Sequence, residues 1–361
     1  KILDICEVDS LREDIDIVDV GGRIIAPGMI DLHTHGAMGY TFNEPGITAF
    51  QTITNEYIKH GVTAFLATLA TASIQDLVSA LGFCRDWMAS ARSGAQILGV
   101  HLEGPYFNPE QRGAQDPNNL RTPDDGSLDA LLAYQDVIRI MSYAPELPGA
   151  LELTQRLSRM GIIPAAGHSS DLDEDINAAI KLGLRHVIHL WSGQSTTRRD
   201  GPWRKPGLLE TALASDQLTG EIIADSKHLP PTLLKLAIKC IGVDRLCVVS
   251  DSTSGAGLAD GEHFLMGNME YYVRNGVGMM LDDSAFAGSV TMLNKMVSNL
   301  ISVIGVSLVD AIRMVSLTPA SILGIDDQKG SLDIGNDADI AILEHDFSVW
   351  RTMMKGQWVY P

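Results

Sequence analysis

Two histidines stand two residues apart in Asp31-Leu-His33-Thr-His35, and on an extended strand that spacing turns both imidazoles to one face. His101-Leu-Glu103 repeats the spacing and ends on a carboxylate; His168 follows Ala165-Ala-Gly, His189 ends Val187-Ile, and Asp251 ends Val248-Val-Ser. A single histidine at a strand end is more often a hydrogen-bonded core residue than a ligand. Imidazoles and a carboxylate recurring at the ends of successive apolar runs read instead as one shared metal site, built from His33, His35, Glu103, His168 and His189. A divalent ion so held lowers the pKa of bound water to about 7, giving a nucleophile at neutral pH for which an amide carbonyl is a suitable target. Asp251 then reads as the general base that takes the water's proton and returns it to the leaving amine. The bland alternative for Asp251 is a loop cap on Ser252 and Thr253. His60, His186, His263 and His345 lack such a setting and are expected on helices, walls or surfaces.

The elements that must position these residues are short apolar runs alternating with helical patterns from roughly residue 28 to residue 323, the pattern of parallel βα units. The runs begin at Met29, Ala64, Ile97, Ile138, Ile162, His186, Ile222 and Leu246. They supply the strands of an α/β chain with a (β/α)8 barrel, whose catalytic groups sit at the C-terminal strand ends. The count alone separates the barrel only weakly from an open doubly wound sheet. Asp14-Ile-Asp-Ile-Val-Asp-Val, before Gly21-Gly22, alternates like a half-buried strand, and Ile340-Ala-Ile-Leu follows a turn-rich stretch. The two ends are expected to pair into a small β-sandwich subdomain from residues 1–27 and 326–361, around a catalytic barrel over 28–325. The layer reads as if earlier strands were absent.

With 361 residues, 45% of them hydrophobic and 20% charged, the chain has the composition of a soluble enzyme. A formal charge of −18 argues against nucleic acid, whose phosphates an acidic surface repels. No apolar run reaches the roughly 18 residues needed to cross a bilayer, and the start lacks a basic stretch followed by an apolar one, so no membrane partner is expected and cytoplasm is the default. Four cysteines without a CxxC pair are read as reduced thiols.

The residues quoted above resemble the amidohydrolase superfamily and, within it, the N-acetylglucosamine-6-phosphate deacetylases. The likeness runs through Ala26-Pro-Gly-Met-Ile-Asp-Leu-His-Thr-His, His101-Leu-Glu-Gly-Pro-Tyr-Phe-Asn-Pro, Gly167-His168-Ser-Ser, His186-Val-Ile-His189-Leu, Val249-Ser-Asp251 and Leu317-Thr-Pro-Ala-Ser-Ile-Leu-Gly. It implies that Glu103, His168 and His189 hold the metal common to the family, while His33 and His35 support a second ion found in some members. It also implies Asp251 as acid/base and a homodimer. Zinc leads as the metal, with iron and manganese also consistent with the ligands.

At the substrate-binding positions the chain departs from the family's pattern. Gln115 stands where the family has histidine, Trp191-Ser192-Gly193-Gln where it has Asn-Ala-Met, and Asp225-Ser-Lys-His228 where it has Asp-Gly-x-His. Gln115, Ser192, Gly193 and His228 are the substrate contacts implied, with His228 or Gln115 also a donor to the developing oxyanion. The segment from Arg198 to Lys205 packs four cations into eight residues of an acidic chain. In the family an arginine of this loop enters the neighbouring subunit's pocket and holds the sugar phosphate. Arg204 by position, or Arg198 or Arg199, is the candidate, since a guanidinium binds phosphate bidentately. The expected reaction is removal of acetate from an N-acetylamino sugar, N-acetylglucosamine 6-phosphate first. N-acetylgalactosamine 6-phosphate or another N-acyl amine is the alternative, and a noncatalytic sugar-phosphate sensor is disfavoured by the intact metal site and base.

Overall fold

All eight apolar runs form strands of one parallel sheet in the computed structural model, which describes residues 1–7, 16–90 and 92–361. The strands are β1 (Met29–Thr34), β2 (Val62–Leu69), β3 (Gln96–Glu103), β4 (Ile138–Tyr143), β5 (Ile163–Ala166), β6 (His186–Val187), β7 (Thr219–Ile222) and β8 (Leu246–Val248). Their spatial order follows chain order from β1 to β8. Closure occurs beyond the end of β8, where Thr34 and Ser252 form a parallel bridge. There Asp251 N donates to His33 O at 2.8 Å and His35 N to Ser252 O at 2.7 Å. The sheet is thus the expected (β/α)8 barrel, and its seam joins two stretches that carry candidate site residues.

Helices cover the strands because their apolar residues recur on one face. In Ala150–Arg159 the buried positions are Ala150, Leu153, Thr154 and Leu157, and in Ile47–Lys59 they include Phe50, Ile53 and Tyr57. Ser73 and Ser307 begin helices by accepting the Asp76 and Asp310 backbone N–H groups. β2 is buried along its whole length, as a strand sandwiched between barrel interior and helices must be.

The chain ends meet as expected, with one correction. Ile24–Pro27 pairs antiparallel with Ile340–Leu343, and Val349–Met354 and Gln357–Tyr360 complete a four-stranded sheet. The N-terminal strand is therefore Ile24–Pro27, after the Gly21-Gly22 turn, and not the alternating segment before it. Residues 16–20 carry no strand, and Asp14 and Ile15 lie outside the described residues. Asp16, Ile17, Val18 and Asp19 are all exposed, so the alternation had no core to face.

The sequence pattern did not reveal a further four-stranded sheet. Between β8 and the helix Leu293–Asn299, four antiparallel strands run over His263–Met266, Met269–Arg274, Val277–Met280 and Phe286–Ser289. Its signal was present: Asn275-Gly276, both left-handed, is the turn pair that joins hairpin strands. Tyr271, Val273, Phe264 and Met266 give this sheet its own small core. It stands on the C-terminal rim and roofs one side of the site.

Candidate metal and hydrolytic site

β1, β3 and the segments following β5, β6 and β8 bring His33, His35, Glu103, His168, His189 and Asp251 together at the C-terminal rim. Glu103 is the centre. Its Oε1 lies 3.0 Å from His189 Nε2, 3.3 Å from His168 Nε2 and 3.4 Å from His33 Nε2, while Oε2 lies 3.3 Å from His35 Nε2. Asp251 Oδ1 is 3.4 Å from His35 Nε2 and 3.6 Å from His33 Nε2. Burial would raise the Glu103 carboxyl, but His33, His168 and His189 hold it well below the usual carboxylate range. Burial acts on Asp251 in the same way, and His35 and His33 bring it below its ordinary value.

These residues fit a divalent cation. Donor atoms of His33, His35 and Glu103 lie within 4.8 Å of one another, and so do those of Glu103, His168 and His189. His33 Nε2 is buried without a hydrogen-bond partner, although it faces oxygens of both Glu103 and Asp251. A nitrogen lone pair turned towards carboxylates is unfavourable unless a proton or a cation lies between them. His168 is oriented for the same role, since its Nδ1–H donates to Gln111 O at 2.8 Å and leaves Nε2 towards Glu103. No thiolate takes part, and imidazole with carboxylate suits zinc, iron or manganese.

Backbone strain collects here. His168 and Asp251 have φ of 45°, and Trp191 and Ser226, on the loops after β6 and β7, have φ of 74° and 62°. A left-handed conformation costs a non-glycine residue roughly 1–2 kcal/mol, and such strain persists where the surroundings over-determine it. For Asp251 the surroundings are the barrel seam on one side and Ser289 N, which donates to Asp251 O at 2.8 Å, on the other.

Gln115, Ser192, Gly193 and His228 line the cavity above this cluster, with Thr253 and, from the roofing sheet, Met266 and Phe286. His228 is held by Asp225, whose Oδ2 accepts its Nδ1–H at 2.7 Å, and its ring packs 4.9 Å from that of Phe286. Gln115 is more committed than its sequence position implies. Its Nε2 donates to Glu103 Oε2 at 2.6 Å and its Oε1 accepts from Thr71 N at 2.9 Å, which leaves one amide hydrogen for a ligand. Arg198 and Arg204 do not line this cavity. They are exposed on a hairpin of Arg198–Asp200 and Trp203–Lys205, beside a Trp203 that is 71% exposed.

Sequence reasoning missed Glu221, Met266 and Phe286. His186, expected on a helix, wall or surface, is buried in the barrel and bonds Glu221 Oε1 at 3.0 Å. An acidic residue inside the apolar run Thr219-Gly-Glu-Ile was the available sign for Glu221.

Gly193 has φ of +60°, and a Cβ there would sit 2.6 Å from His168 Nδ1 and 2.7 Å from Gln111 O. Gly193→Ala is therefore expected to break the bond that orients His168 and to weaken metal retention by about 10-fold or more. Metal content after dialysis against a graded chelator series checks this; retention equal to wild type would mean that His168 needs no such support.

Comparison with known proteins bears on the fold and the family. The chain is 33% identical over 340 residues to the N-acetylglucosamine-6-phosphate deacetylase of Bacillus subtilis (strain 168), covering 92% of this chain and 84% of the relative. It is 29% identical over 344 residues to the N-acetylgalactosamine-6-phosphate deacetylase of Escherichia coli O157:H7, covering 95% and 89%. The crystal structure of N-acetylglucosamine-6-phosphate deacetylase from Pasteurella multocida superposes with a TM-score of 0.93 at 28% identity, over 99% of this chain and 92% of that one. The amidohydrolase family matches residues 24–359, from the first strand of the end sheet to its last. A barrel whose rim gathers imidazoles and carboxylates is thus matched along its length to that family, and the chain belongs to the amidohydrolases as a hydrolytic enzyme.

Proposed function

We propose that this enzyme hydrolyses the acetamide of an N-acetylamino sugar phosphate, N-acetylglucosamine 6-phosphate foremost, to acetate and the amino sugar phosphate. The observation that carries the reading is Glu103 within 3.4 Å of four imidazole nitrogens, with Asp251 beside them at a cavity. The deacetylase relatives supply the substrate class. Glu103, His168 and His189 would hold one divalent ion, and His33 and His35, sharing Glu103, a second. When bound, such an ion polarises a carbonyl and acidifies water.

The chain's own groups do the rest. Asp251 faces the cavity as a carboxylate able to accept the attacking water's proton and hand it to the leaving nitrogen. Asp225 fixes His228 with its Nδ1 side engaged, so that Nε2 is the atom free for a substrate group. The remaining amide hydrogen of Gln115 can donate to the substrate. Met266 and Phe286 supply an apolar wall that limits water beside the reacting carbonyl.

The phosphate is assigned to a neighbouring subunit's hairpin, with Arg204 or Arg198 as its ligand in a homodimer. Support comes from the position of both arginines, exposed and off their own chain's cavity. N-acetylgalactosamine 6-phosphate is the second reading. It is favoured by Gln115 and by Trp191-Ser192-Gly193, where the chain departs from the glucosamine deacetylases, and by the galactosamine relative.

Acetate release from both sugar phosphates, each beside its unphosphorylated sugar, tests the proposal on protein of known metal content. Turnover on a phosphorylated sugar alone is the expected result. Failure on all four sugars by metal-replete enzyme would overturn the sugar assignment and leave the hydrolytic family.

A further inference from the structure

Glu221 lies beneath the metal cluster, inside the barrel, with no exposure to solvent. It is on β7, next to His186 of β6 and two strands from His33 of β1 around the closing seam. Three donors converge on it: His33 Nδ1 at 2.9 Å and His189 N at 3.2 Å on Oε2, and His186 Nε2 at 3.0 Å on Oε1. A fully buried carboxylate is costly unless its lone pairs are taken up, and here each oxygen is. Two of these bonds tie Glu221 to the imidazole of one candidate ligand, His33, and to the backbone of another, His189.

The consequence falls on His33. An ionised carboxylate only accepts, so the hydrogen between His33 and Glu221 must belong to His33 Nδ1. In the neutral ring Nε2 then carries the lone pair, and Nε2 is the buried atom without a hydrogen-bond partner that faces Glu103 and Asp251. The opposite tautomer would place a proton on Nε2, where two carboxylates would welcome it and a cation could not bind. His101 packs edge-on against the His33 ring at 4.5 Å and bonds Ser142 Oγ, which keeps that ring from turning away.

We infer that Glu221 is a positioning residue: it keeps the His33 proton on Nδ1 and so makes the His33 and His35 half of the site a cation site. The inference rests on the proposed role of His33 as a ligand, and it assigns no contact with substrate to Glu221. His168 is oriented independently by Gln111 O, and Glu221 reaches the other half of the site only at the His189 backbone N–H, not at a donor atom of a ligand.

The test reads the proton directly. Long-range proton–nitrogen NMR spectra of labelled protein at pH 8, with and without zinc, show which ring nitrogen of His33 carries hydrogen, the signal being assigned by its loss in His33→Gln. A proton on Nδ1 in both states is expected, and a proton on Nε2 alone in the wild-type protein overturns the inference. Glu221→Met, which removes the acceptor at similar length, is expected to move the His33 proton to Nε2 in zinc-free protein. Zinc titration of this variant should show one ion weakened by about 10- to 100-fold and the other held near wild-type affinity. Unchanged affinity for every ion, or equal loss of all, overturns the inference. A wild-type protein that binds no zinc, iron or manganese counts against the functional reading, while the His33 proton still decides the role of Glu221. Should Glu221→Met not fold, the wild-type spectra alone decide it.

Discussion

With metal content matched to wild type, Asp251→Asn is expected to release acetate roughly 10³-fold more slowly, within the usual range for loss of a general acid–base group. The substitution isolates the chemistry unusually well. Asn has the same shape, and it is among the few residues that tolerate the left-handed backbone that Asp251 adopts at φ 45°. The two backbone bonds that anchor residue 251, to His33 O and from Ser289 N, do not involve the side chain. What disappears is an oxygen that can take up a proton. Loss of the negative charge also removes an attraction for any cation near His33 and His35, 3.4–3.6 Å away, so the comparison must be made at equal occupancy. The fall should lie in kcat with KM little changed, because Asp251 acts on the reacting proton and not on the sugar. Near-normal turnover at equal metal content would remove Asp251 from the reaction and leave it as a structural cap.

Much of this site was legible because ligand chemistry imposes spacing. His33 and His35 share a face only on a strand, and Glu103, His189 and Asp251 sit where apolar runs stop, which in a barrel is one rim. The parts that stayed hidden depend on features with weaker local signatures. Placing the seventh strand at Ile222 instead of Thr219–Ile222 put Glu221 outside it, and a carboxylate inside an apolar strand makes sense only once its partners from β1 and β6 are known. The roofing sheet announced itself at Asn275-Gly276, yet its strands are short and half exposed, so their alternation is faint. The left-handed turns at His168 and Asp251 had no glycine to mark them. The N-terminal strand was misplaced because alternation predicts a half-buried strand only where a partner layer exists, and that partner pairs with Ile24–Pro27. The role of Gln115 was read from the residue it replaces, whereas its observed partners, Glu103 and Thr71, are set by the loop that carries it back over the rim.

Glu103→Gln is expected to have the larger effect on the metal itself. The two donor groups at the cavity both contain Glu103, one with His33 and His35 and the other with His168 and His189, while a third, His33 with His101 and Glu221, lies beneath them without it. Removing a ligand confined to one group should weaken one ion. Removing the shared carboxylate should weaken both, and it also leaves the imidazoles facing an amide whose NH2 group offers protons where a cation needs lone pairs. A tightly held divalent ion has about 10–16 kcal/mol of binding free energy over some four ligands, so losing one is worth on the order of 3 kcal/mol, or about 100-fold in affinity. Glu103→Gln protein should therefore leave a desalting column with little metal and no measurable deacetylation, while His33→Gln keeps one ion. The fold should survive, because the side chain is bonded to the imidazoles and Gln115 and makes no backbone bond of the barrel. If Glu103→Gln retains as much metal as His33→Gln, the carboxylate is not shared between two ions, and the cluster is a single site in which His33 and His35 have another task.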